Sequence, residues 1–393
     1  MGLLRVYLAL CVLTVHADAP VFPWAVHGAS EAVQIFYIIS GFYMAMVLSS
    51  SKYGSKRQFY ASRFLRVFLP YWIVLVATCA WSVLSGVLFN QWLVLKPFLS
   101  HPMAHNGAAG LIFASLTNFT LFGQDWVMFL AHDHGGHLGI TEYYRTNASP
   151  LYQYLLVPQC WSVGLELVFY ALAPFLNRLK SAMLILLAIS SYAARGFAYW
   201  HFHAYHDPWD YRFFPFELSQ FLFGMLGYRL YAKLPPISPA AAVTGIWRYF
   251  IGAAIVLAAL YAHLKASLLV FKITGYHIGI LGTFPIWALI IPVLFYFFGA
   301  NKYDRYVGEL SYPLYLLHYI VVESFVALLP GTVASGWIGR FSAIVSLVLS
   351  VLFYEFFIKK LDRKRHSLAS RQSLQPVVQT HNPEVEKRRE KAV

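Results

Sequence analysis

The stretch Arg5-Val6-Tyr7-Leu8-Ala9-Leu10-Cys11-Val12-Leu13-Thr14-Val15-His16 places a permanent cation and a titratable ring at the two ends of an otherwise apolar or weakly polar run. Eleven residues at about 100° each return to within roughly 20° of the starting face after a rise of about 16 Å, so in a helix Arg5 and His16 share one face at different depths. Ionisable groups in a membrane helix are costly and normally face a bundle interior or a wet cavity, so this face reads as the lining of a path through a bilayer. Two plainer readings compete. One arginine, a short apolar run and Ala17-Asp18-Ala19 before Pro20 also fit a secretory signal peptide with a small-x-small cleavage site. His16 alone also fits a hydrogen-bonded structural histidine.

Composition points to the membrane. Of 393 residues, 59% are hydrophobic and only 12% charged, with mean hydropathy +0.56, which excludes an ordinary soluble domain. Cys11, Cys79 and Cys160 lie in or beside apolar stretches and form no even, spaced set, so neither a disulfide framework nor a thiolate metal site is implied. The net charge of +13 would suit nucleic acid, but the positive charge falls mostly in short loops and a tail, where it sets orientation instead.

Outward from the first helix, apolar segments run over about 30–50, 67–89, 157–176, 182–202, 214–231, 249–262, 278–298, 310–329 and 338–358. The fold class expected is therefore all-α: a polytopic membrane helical bundle with about ten transmembrane helices. Most of the 30 lysines and arginines fall on one side when both termini are cytoplasmic, and the positive-inside rule selects that orientation. Residues 1–360 form the membrane domain, with a large outer loop at about 90–156 that holds a partly buried helix. Residues 361–393 form a basic, polar cytoplasmic tail without apolar periodicity, expected to be disordered. No internal repeat is visible, which weakens a transporter built from inverted halves.

Five segments, in this order, carry a family resemblance: Arg5 with His16; Phe36 to Phe42, ending in Ser40-Gly41-Phe42; Ser62-Arg63-Phe64-Leu65-Arg66-Val67-Phe68-Leu69-Pro70; Trp161-Ser162-Val163-Gly164-Leu165-Glu166 through Tyr170; and Gly308-Glu309-Leu310-Ser311-Tyr312-Pro313 through His318. Together they resemble the acyltransferase-3 family, membrane enzymes that move acetyl or other short acyl groups from acyl-CoA to sugars and other acceptors. The resemblance covers nearly all of the chain before the tail and matches the stand-alone form. Glu355-Phe356-Phe357 lacks the proline that the family often places after that glutamate, which leaves the end of the last helix open.

Arg63 and Arg66 form an i,i+3 pair, so both sit on one side of a helix, where guanidinium groups can fork onto phosphate oxygens. Spacing alone equally fits positive-inside anchors. The resemblance implies contacts to acyl-CoA phosphates, with Arg5 helping. Glu166 and Arg195 fall at similar depths, so an ion pair between them, or Glu166 with His16, is expected. Such a pair fits a structural role as well as a catalytic one. Glu31, Arg212 and Glu217 near the outer ends of their spans suggest a polar vestibule. His318, at mid-membrane, fits either a lining for the acyl arm or a hydrogen-bonded core residue. His132-Asp133-His134-Gly135-Gly136-His137 has ligand types for zinc, but its glycines preform no geometry, so no metal is expected.

The function expected is a membrane O-acyltransferase of the bacterial cytoplasmic (inner) membrane. It takes acyl-CoA, in the first instance acetyl-CoA, as co-substrate and acylates a hydroxyl of a glycan or glycolipid at the outer face. His16 and Glu166 are the expected catalytic residues, and Arg5, Arg63, Arg66 and His318 contact the acyl donor. The rival is a proton-coupled transporter relaying through His16, Glu166 and His318.

Overall fold

The computed structural model describes residues 1–22, 28–50, 53–100, 108–133, 137–141, 143, 149–235 and 279–361, with scattered positions between 247 and 265. The described elements are helices α1 (Gly2–His16), α2 (Ala29–Ser49), α3 (Lys56–Phe89), α4 (Lys96–Ser100), α5 (Ala108–Thr120), α6 (Gln124–Val127), α7 (Trp161–Leu176), α8 (Ser181–Phe202), α9 (Phe214–Tyr231), α10 (Gly279–Phe298), α11 (Lys302–Leu328), α12 (Pro330–Ala334) and α13 (Ile338–Phe353). A short antiparallel pair, β1 (Leu130–His132) with β2 (Leu138–Ile140), is added to the helical bundle in the 90–156 segment. Of the segment expected at 249–262, residues 250–255, 257, 258, 261 and 262 are described and are helical, whereas the tail after residue 361 lies outside the described residues.

Six described helices are long and apolar enough to cross a membrane: Ala29–Ser49, Lys56–Phe89, Pro158–Leu176, Ser181–Phe202, Lys302–Leu328 and Ile338–Leu361. The expected boundaries hold closely at α2, α8 and α9. They fail at α3 and α11, which begin earlier than their apolar runs. Ser55 caps α3, its side chain accepting the Gln58 N–H, and Asn90 ends it in the left-handed conformation with φ 56°. At 34 residues α3 is about 51 Å long, well beyond a hydrocarbon core of about 30 Å. Its first turns, which carry Lys56, Arg57, Arg63 and Arg66, therefore extend past the apolar layer as helix and not as loop. Asn301 does the same for α11, accepting from the N–H groups of Tyr303 and Asp304.

Helix association in lipid relies on close packing, because lipid tails are as apolar as the side chains themselves. Glycines supply it between α2 and α9. A Cβ on Gly41 would strike the carbonyl of Phe221, and one on Gly224 the carbonyl of Ile38. Around that contact Phe169 stacks on Phe221 with ring centroids 4.2 Å apart, and Tyr37 stacks on the same ring at 4.6 Å. The helix α1 lies along α11. The backbone N–H groups of Gly2 and Leu3 donate to the Asp304 carboxylate at 2.9 and 3.1 Å, an anion at a helix N-terminus. At the far end of the chain, α13 continues as a π-helical turn over Tyr354–Ile358, with Glu355 bonded to Lys359 at 2.6 Å, so the missing proline lets the helix run on.

Candidate functional site

Polar residues follow one line through the bundle. At the end that holds the start of α1, the Arg5 guanidinium lies beside Gly308 of α11. Arg66 of α3 donates to both carboxylate oxygens of Glu309, at 3.4 and 3.2 Å. Arg5, Arg66, Glu309 and Asp304 all lie within electrostatic reach of Tyr43 on α2.

One turn nearer the start of α3 than Arg66, Arg63 is 7% exposed. It donates to the Tyr53 hydroxyl at 3.3 Å and lies over the Phe59 ring, while among the described residues its Nε meets no partner. No carboxylate pairs with it among the described residues. A buried guanidinium in that condition suits an anionic ligand group, since an uncompensated charge away from water is costly. The i,i+3 spacing does not bring Arg63 and Arg66 onto a common partner: one turns to Tyr53 and the other to Glu309.

The next layer centres on Glu166. Its Oε1 accepts hydrogen bonds from Ser40 of α2 and from the Tyr170 hydroxyl, the latter at 2.6 Å. The expected ion pair of Glu166 with Arg195 or His16 is corrected here. Arg195 bonds Glu217 instead, and Gln34 donates to the same Glu217 oxygen at 2.8 Å. The reason is helix direction: α8 and α9 are consecutive and pack on each other, whereas α7 turns Glu166 toward α2. Arg212 is held by Asp207 and stacks on Trp161 with its guanidinium 4.1 Å from the ring centroid.

One turn before Glu166, the Ser162 hydroxyl meets the Tyr315 hydroxyl at 2.7 Å, and Tyr315 in turn donates to the Gln159 carbonyl at 2.9 Å. Beyond Tyr315 lies His318, fully buried, with Nδ1 2.8 Å from the Tyr315 carbonyl oxygen and Nε2 3.1 Å from Nδ1 of His16. The two rings stack at 5.0 Å, and Tyr319 stands edge-on to His16 at 5.3 Å. The structure thus brings His16 and His318 together, and it places Glu166 with neither. Sequence reasoning missed Ser40, Gln159, Ser162 and Tyr53 as partners. Their one signal was a polar side chain inside an apolar helix or at its mouth.

In the outer segment, Asp133 accepts from the His137 backbone N–H at 2.8 Å and lies 3.2 Å from its ring, while His132 is buried against Gly110. Among the described residues no group of three potential metal ligands occurs. His134 lies outside them.

A paired histidine, a buried cation that meets no carboxylate among the described residues and a series of polar contacts between helices are groups that a transfer reaction can use. The family model described as an acyltransferase domain, that of acyltransferase-3, matches residues 1–355, and the chain belongs to that family. It is an integral membrane acyltransferase, a transferase of groups other than aminoacyl groups. The match does not favour a transporter. No curated protein and no solved structure matches the chain.

Proposed function

We propose that this enzyme moves an acetyl or other short acyl group from acyl-CoA on the cytoplasmic side to a hydroxyl of a glycan or glycolipid on the outer side of a bacterial inner membrane. The reading includes about ten spans with both termini cytoplasmic. The observation that carries it is the His16–His318 pair at the opposite end of α1 from Arg5. Arg5 and Arg66 meet the CoA phosphates at the mouth, and Arg63, one turn nearer the start of α3 but more buried, offers its unsatisfied Nε to a further anionic group of the donor. The thioester then lies toward His16, along the side of the bundle that His318 and Tyr315 line.

His16 accepts the proton of the acceptor hydroxyl as its oxygen attacks the thioester carbonyl. The new C–O bond forms, the C–S bond breaks, and the proton passes from His16 to the departing CoA sulfur, giving an ester and free CoA. A positioned base of this kind contributes about a hundred to ten thousand fold. Glu166 holds Ser40 and Tyr170 in place below the reacting atoms and polarises the path.

Mass spectrometry of base-labile acyl groups on surface glycans and lipids, from cells with and without the gene, tests the proposal. A class of acyl esters present only with the gene is expected. Identical profiles would contradict it.

A further inference from the structure

The hydrogen-bond pattern at the outer end of the polar line determines which nitrogen of each ring carries a proton. Nδ1 of His318 faces two carbonyl oxygens, Tyr315 at 2.8 Å and Leu314 at 3.3 Å. A carbonyl oxygen only accepts, so that nitrogen bears the hydrogen. No carboxylate contacts His318 among the described residues, and a buried imidazolium without one would be an uncompensated charge, so the ring is neutral and its Nε2 carries the lone pair. That lone pair lies 3.1 Å from His16 Nδ1, which must therefore be the N–H donor. In neutral His16 the remaining lone pair is then on Nε2. Which nitrogen of a histidine acts is set in this way by the bond the other one makes.

We propose that His318 is a positioning residue that locks His16 in the Nδ1–H tautomer, so that His16 Nε2 is the atom that receives the acceptor's proton. This rests on the reading of His16 as the base. The arrangement is a base oriented by a second ring, whose own orientation comes from a helix carbonyl in place of a carboxylate. Gln159 braces that carbonyl, donating from Nε2 to the oxygens of Tyr315 and Leu316 at 3.2 and 2.8 Å. When His16 takes the proton, the N–H to His318 persists, so the ring does not have to reorient between accepting the proton and returning it to sulfur. His318 itself never changes protonation, which separates this role from a proton relay.

Two independent measurements test it. The first is tautomer state, read from two-bond 15N–1H correlations on the full chain in lipid nanodiscs with 15N-labelled histidine. His16 is assigned among the 15 histidines by its loss in His16→Gln. A protonated Nδ1 with an unprotonated Nε2 is expected in the wild type and in His318→Gln, whose amide oxygen reaches the place of the imidazole Nε2. His318→Leu should give a mixture of tautomers. A wild-type His16 protonated at Nε2 and bare at Nδ1 overturns the proposal, whatever the activity.

The second measurement is transfer from [14C]acetyl-CoA into base-labile material in membranes that contain the full chain, with rates taken against acetyl-CoA concentration. His318→Leu is expected to lower kcat by about a hundred-fold or more, with KM and protein level within about twofold, whereas His318→Gln stays within about tenfold of wild type. A Gln variant as inactive as His16→Gln would make His318 a relay, and a Leu variant with full kcat would make it a packing residue. Either overturns the proposal. If the tautomers come out as stated but His16→Gln still transfers, the reading of His16 as base fails and the hydrogen-bond assignment stands.

Discussion

Arg195 of α8 and Glu217 of α9 form an ion pair in which neither side chain reaches solvent. Removing one member strands the other charge, and a broken buried pair typically costs about 3–5 kcal/mol, while replacing both with apolar residues is often neutral. Arg195→Met should therefore lower the thermal midpoint and the amount of protein in the membrane. Arg195→Met with Glu217→Met should recover most of both. A double variant no better than the single one would show that the pair does more than hold α8 against α9.

The arginines of α3 should separate by burial, Arg63 being buried and Arg66 partly exposed. Arg66 and Glu309 are each about one third exposed, and a pair at that exposure is worth about 0–1 kcal/mol, so Arg66→Ala should leave stability unchanged. Its effect should appear as weaker acyl-CoA binding. Arg63→Ala should weaken it as well, and the double variant should flatten the salt dependence of binding, because phosphate contacts are lost. Equilibrium binding of acetyl-CoA at two ionic strengths checks this, and unchanged affinity in the double variant would return both residues to the role of charged anchors.

Asp210, in the turn between α8 and α9, has its carboxyl pushed up to about 7, first by burial and then by the neighbouring Asp207. The unfolded chain releases this proton near 3.8, so between there and about pH 7 the folded state holds more protons and its stability falls as pH rises. Above about 7 the loss is complete. Asp125, raised to about 6 by burial, adds the same sign over a narrower window. Thermal unfolding in detergent from pH 5 to 7.5 should show a declining midpoint, and Asp210→Asn should flatten part of the decline, by at most about 1.4 kcal/mol per pH unit. Parallel curves for the two proteins would contradict this.

What the sequence made legible was the part of the structure encoded by local pattern. Apolar runs located α2, α8 and α9 nearly to the residue, and the Arg5 to His16 spacing put both groups on one helix. Two kinds of information were absent. The first was where helix continues into polar sequence: Lys56 to Arg66 reads as a basic loop, but long cationic side chains tolerate a helix that projects beyond the apolar layer, and Ser55 starts one there. The second was helix rotation. Depth along a helix can be counted, yet the contacts part Glu166 from Arg195: Glu166 meets Ser40 of α2, whereas Glu217, the partner of Arg195, meets Gln34 about 9 Å away along the same helix. Azimuth depends on which neighbours pack, and that gave Arg195 to Glu217 and Glu166 to Ser40. The His16–His318 bond joins residues 302 apart in the chain, and no local signal marks it.

Topology is open to a direct check. A reporter fused after Ser100, at the end of α4, should report outside, and one after His366 should report inside, because the basic loops and tail favour the cytoplasm. Opposite signals at either site would overturn the orientation and, with it, the direction of transfer.

The central claim is that His16 is the general base, and His16→Gln tests it most directly. Glutamine keeps a hydrogen bond toward His318 but cannot take a proton. Membranes bearing the variant should bind acetyl-CoA with wild-type affinity, accumulate the protein normally and show transfer reduced by about a hundred-fold or more. Transfer within about threefold of wild type, well short of a general base's usual contribution, would contradict the account.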